Sequence, residues 1–214
     1  MAKKITRSST KKTVKPTVKA EPKKIAKSTA KVNSVSKQDS TKTVIDEIKI
    51  GDQTWTSKNL DVSTYRNGDV IPQVQNEEEW KNLTSGAWCY YENKTANGKK
   101  YGKLYNYYAV NDPRGLAPKG YHIPTDKEWT ILTDNLGDEA SKKMKSKIGF
   151  AGLPGGIQSS NGGFFNIGAS GCWWSSSESS INFAWYRYLD SNNGRVASYN
   201  VDKHSGLSVR CLKD

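Results

Sequence analysis

The sequence predicts a mixed α+β domain over residues 44–214, preceded by a disordered basic tail over residues 1–43. Residues 1–43 contain no Trp, Tyr or Phe and carry thirteen Lys and Arg side chains against two acidic ones. Two later segments carry the start and stop signals of short helices, and several others have strand-like patterns. The second part has a length that suits one domain, which buries roughly 70% of its unfolded surface.

The tail cannot bury enough apolar area to offset the entropy of ordering it, so we expect disorder there. It holds almost all of the formal net charge of +12, which favours non-specific contact with nucleic acid or another polyanion. A solvated tether is the alternative. The side chains assigned to polyanion contact are Lys3, Lys4, Arg7, Lys11, Lys12, Lys15, Lys19, Lys23, Lys24 and Lys27.

The first ordered elements have local signals. Residues 44–50 and 53–56 predict two strands joined by a tight turn at Gly51-Asp52. Asn76, with Glu79 three positions later, predicts the start of a short helix that stops before Gly86.

Aromatic runs at residues 87–91 and 101–110 predict strands on either side of an Asn97-Gly98 turn. The clearest helix follows. Thr125 and Glu128 form a capping box, and Gly137 stands where a C-terminal glycine belongs. Trp129, Leu132 and Leu136 recur on one face of this helix.

The late part contains a glycine-rich stretch at residues 153–164 and then Trp173-Trp174. Successive side chains of a strand point to opposite faces. One indole therefore enters a core, and the other lies on a second packed surface or a ligand-binding face. Three closing strands are predicted at 183–189, 195–201 and 207–212, the last half-buried with Cys211 facing inward.

Cys89, Cys172 and Cys211 have no CxxC spacing and predict neither a disulfide framework nor a zinc motif. We expect reduced, buried thiols. A Cys172–Cys211 bridge is the alternative in an oxidising compartment.

No apolar run follows the first residues, so the sequence predicts no signal peptide and synthesis in the cytoplasm. No stretch approaches the roughly 18 apolar residues of a membrane span. Packaging into a virus particle is the alternative route to an outside surface.

A set of motifs then carries a family resemblance. In chain order they are Trp55 with Lys58-Asn59-Leu60, Tyr65-Arg66-Asn67-Gly68, Gly86-Ala87-Trp88, residues 101–106, residues 116–126, Glu128-Trp129 and Ser208-Val209-Arg210-Cys211. From about residue 46 to 214 the chain resembles the Fibrobacter succinogenes major paralogous domain. The resemblance implies a C-type lectin-like fold, with two short helices around a small mixed or antiparallel sheet and a long irregular loop region. It also implies kinship with formylglycine-generating enzymes.

An enzyme related to formylglycine-generating enzymes is disfavoured. That activity needs a reactive cysteine pair in the late loops, and only Cys211 has a counterpart. His122 is expected to be structural and His204 to be solvated in a turn. No cofactor or metal motif is present, although a structural calcium site of scattered Asn and Asp side chains stays open.

The leading hypothesis is a non-catalytic recognition or adhesion module that binds glycan or protein through its late loops. Tyr, Trp, Ser and Asn on a rigid scaffold suit such a contact face. The candidate ligand-binding residues are Trp174, Ser176, Glu178, Asn182, Trp185, Tyr186, Arg187, Asn192, Asn193 and Arg195. A phage virion or assembly protein anchored by the tail is the second hypothesis, and a homo-oligomer stays open.

Overall fold

The computed structural model describes residues 45–214, which form a mixed α+β domain and so confirm the predicted class. The α-helices are α1 (Glu77–Lys81), α2 (Thr95–Tyr101), α3 (Tyr107–Val110), α4 (Asp126–Leu136) and α5 (Ala140–Lys145). The strands are β1 (Glu47–Ile50), β2 (Gln53–Thr56), β3 (Trp88–Cys89), β4 (Leu104–Tyr105), β5 (Tyr121–His122), β6 (Gly155–Gln158), β7 (Phe164–Ile167), β8 (Ser170–Glu178), β9 (Phe183–Asp190), β10 (Val196–Asp202) and β11 (Leu212–Lys213). None of the helices within residues 45–214 has the length and hydrophobicity that crossing a bilayer requires.

The strands form four small sheets. One has the order β1-β2-β11-β5, one is the meander β10-β9-β8, and β3-β4 and β6-β7 are two-stranded. The pairs between named strands are antiparallel. In the four-stranded sheet Leu212 lies opposite both Trp55 and His122, so β11 ties the first hairpin to the segment that leads into α4.

The elements with the strongest local signals form as predicted. Gly51 turns the β1-β2 hairpin at φ +59°, a left-handed conformation that suits glycine. At the start of α4 the Thr125 hydroxyl accepts from the Glu128 N–H at 3.2 Å, and the Glu128 carboxylate accepts from the Thr125 N–H at 2.8 Å. Gly137 caps the other end.

Helix α1 begins where expected but is shorter than predicted. Asn76 caps it by accepting from the Glu79 N–H at 2.9 Å, and the helix ends at Lys81 after five residues. Trp80, which is fully buried, donates from Nε1 to the His204 carbonyl at 2.7 Å. This short helix is thus stabilised mainly by the buried Trp80 side chain and its hydrogen bond, and less by hydrogen bonds within the helix.

The predicted turn at Asn97-Gly98 is wrong, because both residues lie inside α2. A Cβ on Gly98 would approach the Tyr90 ring to 2.2 Å, so glycine is needed here for close packing. The Asn97 amide donates to the Tyr91 carbonyl at 3.0 Å. The long strand predicted at 101–110 is also wrong, since only Leu104–Tyr105 is extended before α3 begins.

Two of the three predicted closing strands form, as β9 and β10 in the sheet with β8. Residues 207–212 do not form the third, because only Leu212 belongs to a strand and it joins the other sheet. Leu207 bridges to Tyr105 of β4, while Ser208 bridges to Trp173 of β8. This segment therefore runs between β4 and β8. Ser208 and Arg210, which a half-buried strand would expose, are buried.

Strand β8 is buried on both faces. Trp173 packs against Trp129 and Phe150, with ring centroids 6.2 and 5.5 Å away, in a core that also holds Trp55. Trp174 faces the other way and packs edge-on to Tyr107 at 5.3 Å. Both indoles are fully buried, so the second one lies on a second packed surface.

Arg210 is a fully buried cation held by neutral acceptors. Its Nη1 donates to the carbonyls of Thr56 and Phe150 at 2.8 and 2.7 Å, and its Nε donates to Asn59 Oδ1 at 2.7 Å. Its Nη2 donates to the Ala151 carbonyl at 3.0 Å. These bonds join β2, the segment after it and the loop after α5 around one side chain.

The three cysteines are free and buried, as predicted, and the alternative Cys172–Cys211 bridge is not formed. Burial raises the pKa of the Cys172 and Cys211 thiols to about 12. Their thiolate populations at neutral pH are therefore very small.

We expect all three thiols to resist a disulfide reagent such as dithionitrobenzoate at pH ~8 in the native chain, where an exposed thiol reacts readily. The same reagent should titrate three thiols in guanidinium chloride. Rapid stoichiometric reaction of Cys211 in the folded state would contradict this burial.

His122 predicts a pH dependence of stability. Its Nε2 lies 3.0 Å from Glu128 and its Nδ1 lies 2.8 Å from Asp214. Burial alone would lower the pKa of His122, but the hydrogen bonds that the imidazole donates to Asp214 and Glu128 outweigh it and raise that pKa above its ordinary value.

A histidine with a raised folded pKa stabilises below its unfolded pKa of about 6.5 and loses that contribution as the pH rises through the folded pKa. We therefore expect His122→Gln to lower the free energy of unfolding at pH ~5.5 and to matter less by pH ~8.5. Urea denaturation across that range measures both chains. A pH-independent difference would mean that His122 acts through packing alone.

Candidate functional site

Two of the candidate ligand-binding residues are buried and do not form a contact surface. Trp174 is 0% exposed and donates from Nε1 to the Tyr105 carbonyl at 2.7 Å. Arg187 is 6% exposed, and its Nη2 lies 3.2 Å from Asp126 Oδ1 and Thr130 Oγ1 on α4. Their assignment to the binding patch is corrected: both are internal.

The other candidates are not brought together in one patch. Trp185 and Tyr186 are half-buried neighbours in β9 and face opposite sides of the sheet. Tyr186 packs against the core that contains Trp174. Asn182 and Asn192 lie beyond opposite ends of β9, roughly 25 Å apart at the rise of an eight-residue strand.

At the far end, Asn192, Asn193 and Arg195 build the β9-β10 turn. Asp190 Oδ1 accepts from the backbone N–H groups of Asn192 and Asn193 at 2.7 and 3.0 Å. The Asn193 side chain accepts from the Arg195 N–H at 3.0 Å. Asn193 therefore shapes the turn, while the Arg195 guanidinium lies 5.4 Å from the Tyr199 ring.

At the near end, Glu178 lines a concave site of about 320 Å³, which we call the Glu178 pocket, whereas Ser176 and Asn182 are not among its lining residues. Its walls come from the loop at Ser85, from α3 with the loop after it, and from Glu178, Ile181 and Lys203. Ser176 is half-buried behind it, and its carbonyl accepts from the Tyr107 hydroxyl at 2.7 Å.

The charged groups of the Glu178 pocket are fixed by the fold. Lys203 Nζ lies 2.9 Å from Glu178 Oε1, donates to the Ile181 carbonyl at 3.0 Å and stands 5.4 Å from the Tyr107 ring centroid. The pKa of Asp112 is lowered, first by the hydrogen bond from Arg114, so this carboxylate is ionised and accepts.

Tyr108 adds an aromatic ring to the same pocket. Its hydroxyl lies 3.3 Å from His204 Nε2, and His204 Nδ1 lies 2.8 Å from Asp202. Burial first, and Asp202 second, raise the pKa of Tyr108, so the phenol is protonated at neutral pH. His204 was expected to be merely solvated in its turn; it instead orients a half-buried tyrosine.

Tyr107, Tyr108 and Lys203 are pocket residues that sequence reasoning missed. A signal for the first two existed in Asn106, a residue type preferred at helix N-caps. Asn106 Oδ1 accepts from the Ala109 N–H at 3.0 Å and so starts α3 at Tyr107. The strand interpretation of 101–110 concealed it.

The polyanion contact assigned to Lys3 through Lys27 falls outside the described residues. Across residues 45–214, no three His, Cys, Asp or Glu side chains are arranged to hold a metal ion.

With the geometry in place, the chain can be compared with known proteins. The model of the family described as Fibrobacter succinogenes major domain matches residues 48–213, which confirms the resemblance drawn from the motifs. No curated protein and no solved structure matches the chain significantly.

The correction at Trp174 makes a testable contrast with Trp185. Trp174→Phe removes one of the two donors to the buried Tyr105 carbonyl, which keeps the Leu207 N–H at 3.0 Å, and also removes ring volume, so we expect it to lower the free energy of unfolding by about 2 kcal/mol. Trp185→Phe, at a half-buried position, should change it by less than about 1 kcal/mol. Guanidinium denaturation measures the free energy of unfolding of both variants. Equal losses would contradict the internal placement of Trp174.

Proposed function

The chain belongs to the Fibrobacter succinogenes major domain family, and we propose that its domain is a recognition and adhesion module without catalytic chemistry. Its ligand is a glycan, bound in the Glu178 pocket. The observation that carries this is the pairing, in one concave site, of a fixed carboxylate–ammonium pair with an aromatic ring. Sugars present hydroxyl groups that both donate and accept, and such a pair can bind adjacent hydroxyls.

The ion pair is suited to binding sugar hydroxyls because the Lys203 side chain is buried and held in one conformation. Lys203 is only 10% exposed in its side chain, whereas Glu178 is 48% exposed. A ligand hydroxyl could therefore donate to the free oxygen of Glu178 without breaking the pair. Little conformational entropy is lost on binding, since one partner is already immobile.

The rest of the pocket offers groups of the same type. The Asp112 carboxylate accepts, and the Asn111 amide and the Ser85 hydroxyl both donate and accept. Tyr108 supplies a ring whose hydroxyl is held by His204. Small-ligand sites commonly combine an apolar surface with a few fixed polar groups in this way.

We also propose the finer fold, a C-type lectin-like domain, as the family resemblance implies. In support, α1 and α4 are both capped and each buries a tryptophan, and the sheets are small and antiparallel. A long stretch of short strands separates α5 from β11. The additional helices α2, α3 and α5 were not part of the expectation.

A non-catalytic role is supported by Cys211. The one cysteine with a counterpart in formylglycine-generating enzymes is 0% exposed, and burial raises the pKa of its thiol. Catalytic cysteines instead occupy partly exposed sites that favour the thiolate.

For the tail we propose non-specific polyanion contact, on the charge of residues 1–43 alone. A steep loss of duplex DNA affinity with rising salt, absent in a chain that lacks those residues, is the expected behaviour.

The glycan proposal is tested by filling the pocket. Ser85→Trp places a large side chain at an exposed position on its wall, and Ser63→Trp is the matched control at an exposed serine that does not line it. The full chain is titrated calorimetrically with cellohexaose, xylohexaose, mannohexaose and chitohexaose. We expect at least one to bind and Ser85→Trp to weaken it by about tenfold or more.

Ser63→Trp should keep the wild-type affinity within about twofold. Equal binding by both variants would place the glycan site elsewhere. If none of the sugars binds but a partner protein does, and if Ser85→Trp abolishes that binding, the ligand of the pocket is a protein and not a glycan.

A further inference from the structure

A second concave site lies on residues that the Glu178 pocket does not use. It has a volume of about 420 Å³, within the usual range for small-ligand sites. Its walls are the segment from Ser57 to Asp61, the second half of α2 and the loop after α5, with Arg210 beneath. We call it the lysine pocket.

The charge of the lysine pocket is strongly one-sided. It is lined by Lys58, Lys99, Lys100 and Lys147, and by a single carboxylate, Asp61. That carboxylate is already neutralised, because Lys103 Nζ lies 2.6 Å from it and is 6% exposed in its side chain.

The lysines themselves are largely uncompensated. Lys58 pairs with Asp46 at 2.6 Å, but both side chains are more than half exposed, and such pairs stabilise little. Within residues 45–214, Lys99, Lys100 and Lys147 form no ion pair. Several cations around one cavity concentrate anions there.

Arg210 adds a buried charge below this ring of lysines. All its acceptors are an amide oxygen and backbone carbonyls, so no carboxylate cancels its field. Four of its five N–H groups are used, and one on Nη2 has no acceptor within the described residues. Burial lowers the pKa of Arg210 to about 9, which leaves the guanidinium charged at neutral pH.

The uncharged surface limits the kind of anion. Tyr101 is only 7% exposed, and Lys100 Nζ stands 4.8 Å from its ring centroid, so no open aromatic face is offered for a nucleobase to stack on. Leu153, 39% exposed, gives a small apolar patch. A compact ring with a charged substituent fits this combination better than a flat base.

We propose that the lysine pocket binds a sugar carrying a phosphate, sulfate or carboxylate group. The charged group lies among Lys58, Lys99 and Lys147 in the field of Arg210, and the ring lies towards Leu153. The site shares no residue with the Glu178 pocket. Either proposal can therefore fail without the other.

The test uses the isotope-labelled full chain, titrated with glucose 6-phosphate, glucose 6-sulfate, glucuronate, glucose and inorganic phosphate, with amide signals followed by NMR. The variant is Lys99→Gln with Lys147→Gln. The control is Lys119→Gln with Lys127→Gln, which removes the same charge from exposed positions outside the pocket. Arg210 is left intact because its loss would threaten the fold.

We expect saturable shifts at Gly98–Gly102 and at Gly149–Ala151 with at least one charged sugar, and none with glucose. The pocket variant should weaken this binding by about tenfold and the control by less than about twofold. The charged sugar that binds most tightly identifies the group.

Three results would overturn the proposal. Shifts confined to residues 1–43 would show that only the basic tail attracts these anions. Equal weakening by variant and control would reduce the effect to net charge. Inorganic phosphate that shifts the same signals and binds more tightly than every charged sugar would remove the sugar from the assignment.

Discussion

The domain depends on one constraint, the burial of two adjacent indoles on opposite faces of β8. A strand that carries Trp173-Trp174 must be covered on both sides, since successive side chains point in opposite directions. Helix α4 and the Phe150 segment cover the first indole, while α3, Leu207 and Val209 belong to the core that buries the second. Neither layer could be removed without exposing a side chain that dominates core energetics. The short elements elsewhere are therefore stabilised mainly by what they cover on this strand.

Local sequence signals predicted structure correctly where their partners are also local. They failed where residues distant in sequence make the decisive contacts. The Thr125–Glu128 capping box and the Gly51 turn involve partners within a few positions, so the local sequence shows every group that stabilises them. Asn97-Gly98 has the same chemistry as a hairpin turn, but Tyr90 packs on Gly98 and places it in a helix instead. Alternation in residues 207–211 failed for the same reason, since the partners of Ser208 and Arg210 lie far away in sequence.

Composition directed the ligand-binding prediction to the late strands but could not separate their exposed members from their internal ones. Tryptophan and arginine each combine a large carbon surface with polar atoms, and those atoms can be satisfied by backbone carbonyls as well as by a ligand. Trp174 Nε1 and Arg187 Nη2 are satisfied in this way, by the carbonyls of Tyr105 and Asp126. Glu178 was among the candidate ligand-binding residues, but its neighbours on α3 could be identified only from the structure.

The two indoles also connect the core to the two pockets. Trp173 Nε1 donates at 2.8 Å to Asn59 Oδ1, the oxygen that also accepts from Arg210 Nε. Trp174 packs on Tyr107, whose hydroxyl holds the Ser176 carbonyl and whose ring faces Lys203. Each pocket thus contains a cation that shares a contact partner with one indole of the pair, Asn59 for Arg210 and Tyr107 for Lys203. The cation beneath the lysine pocket has no carboxylate partner, whereas the cation in the Glu178 pocket is paired with Glu178. Both pockets lie against residues that contact β8, so they differ mainly in charge. The unpaired charge of the lysine pocket suits anions, and the paired charge of the Glu178 pocket suits neutral hydroxyl groups.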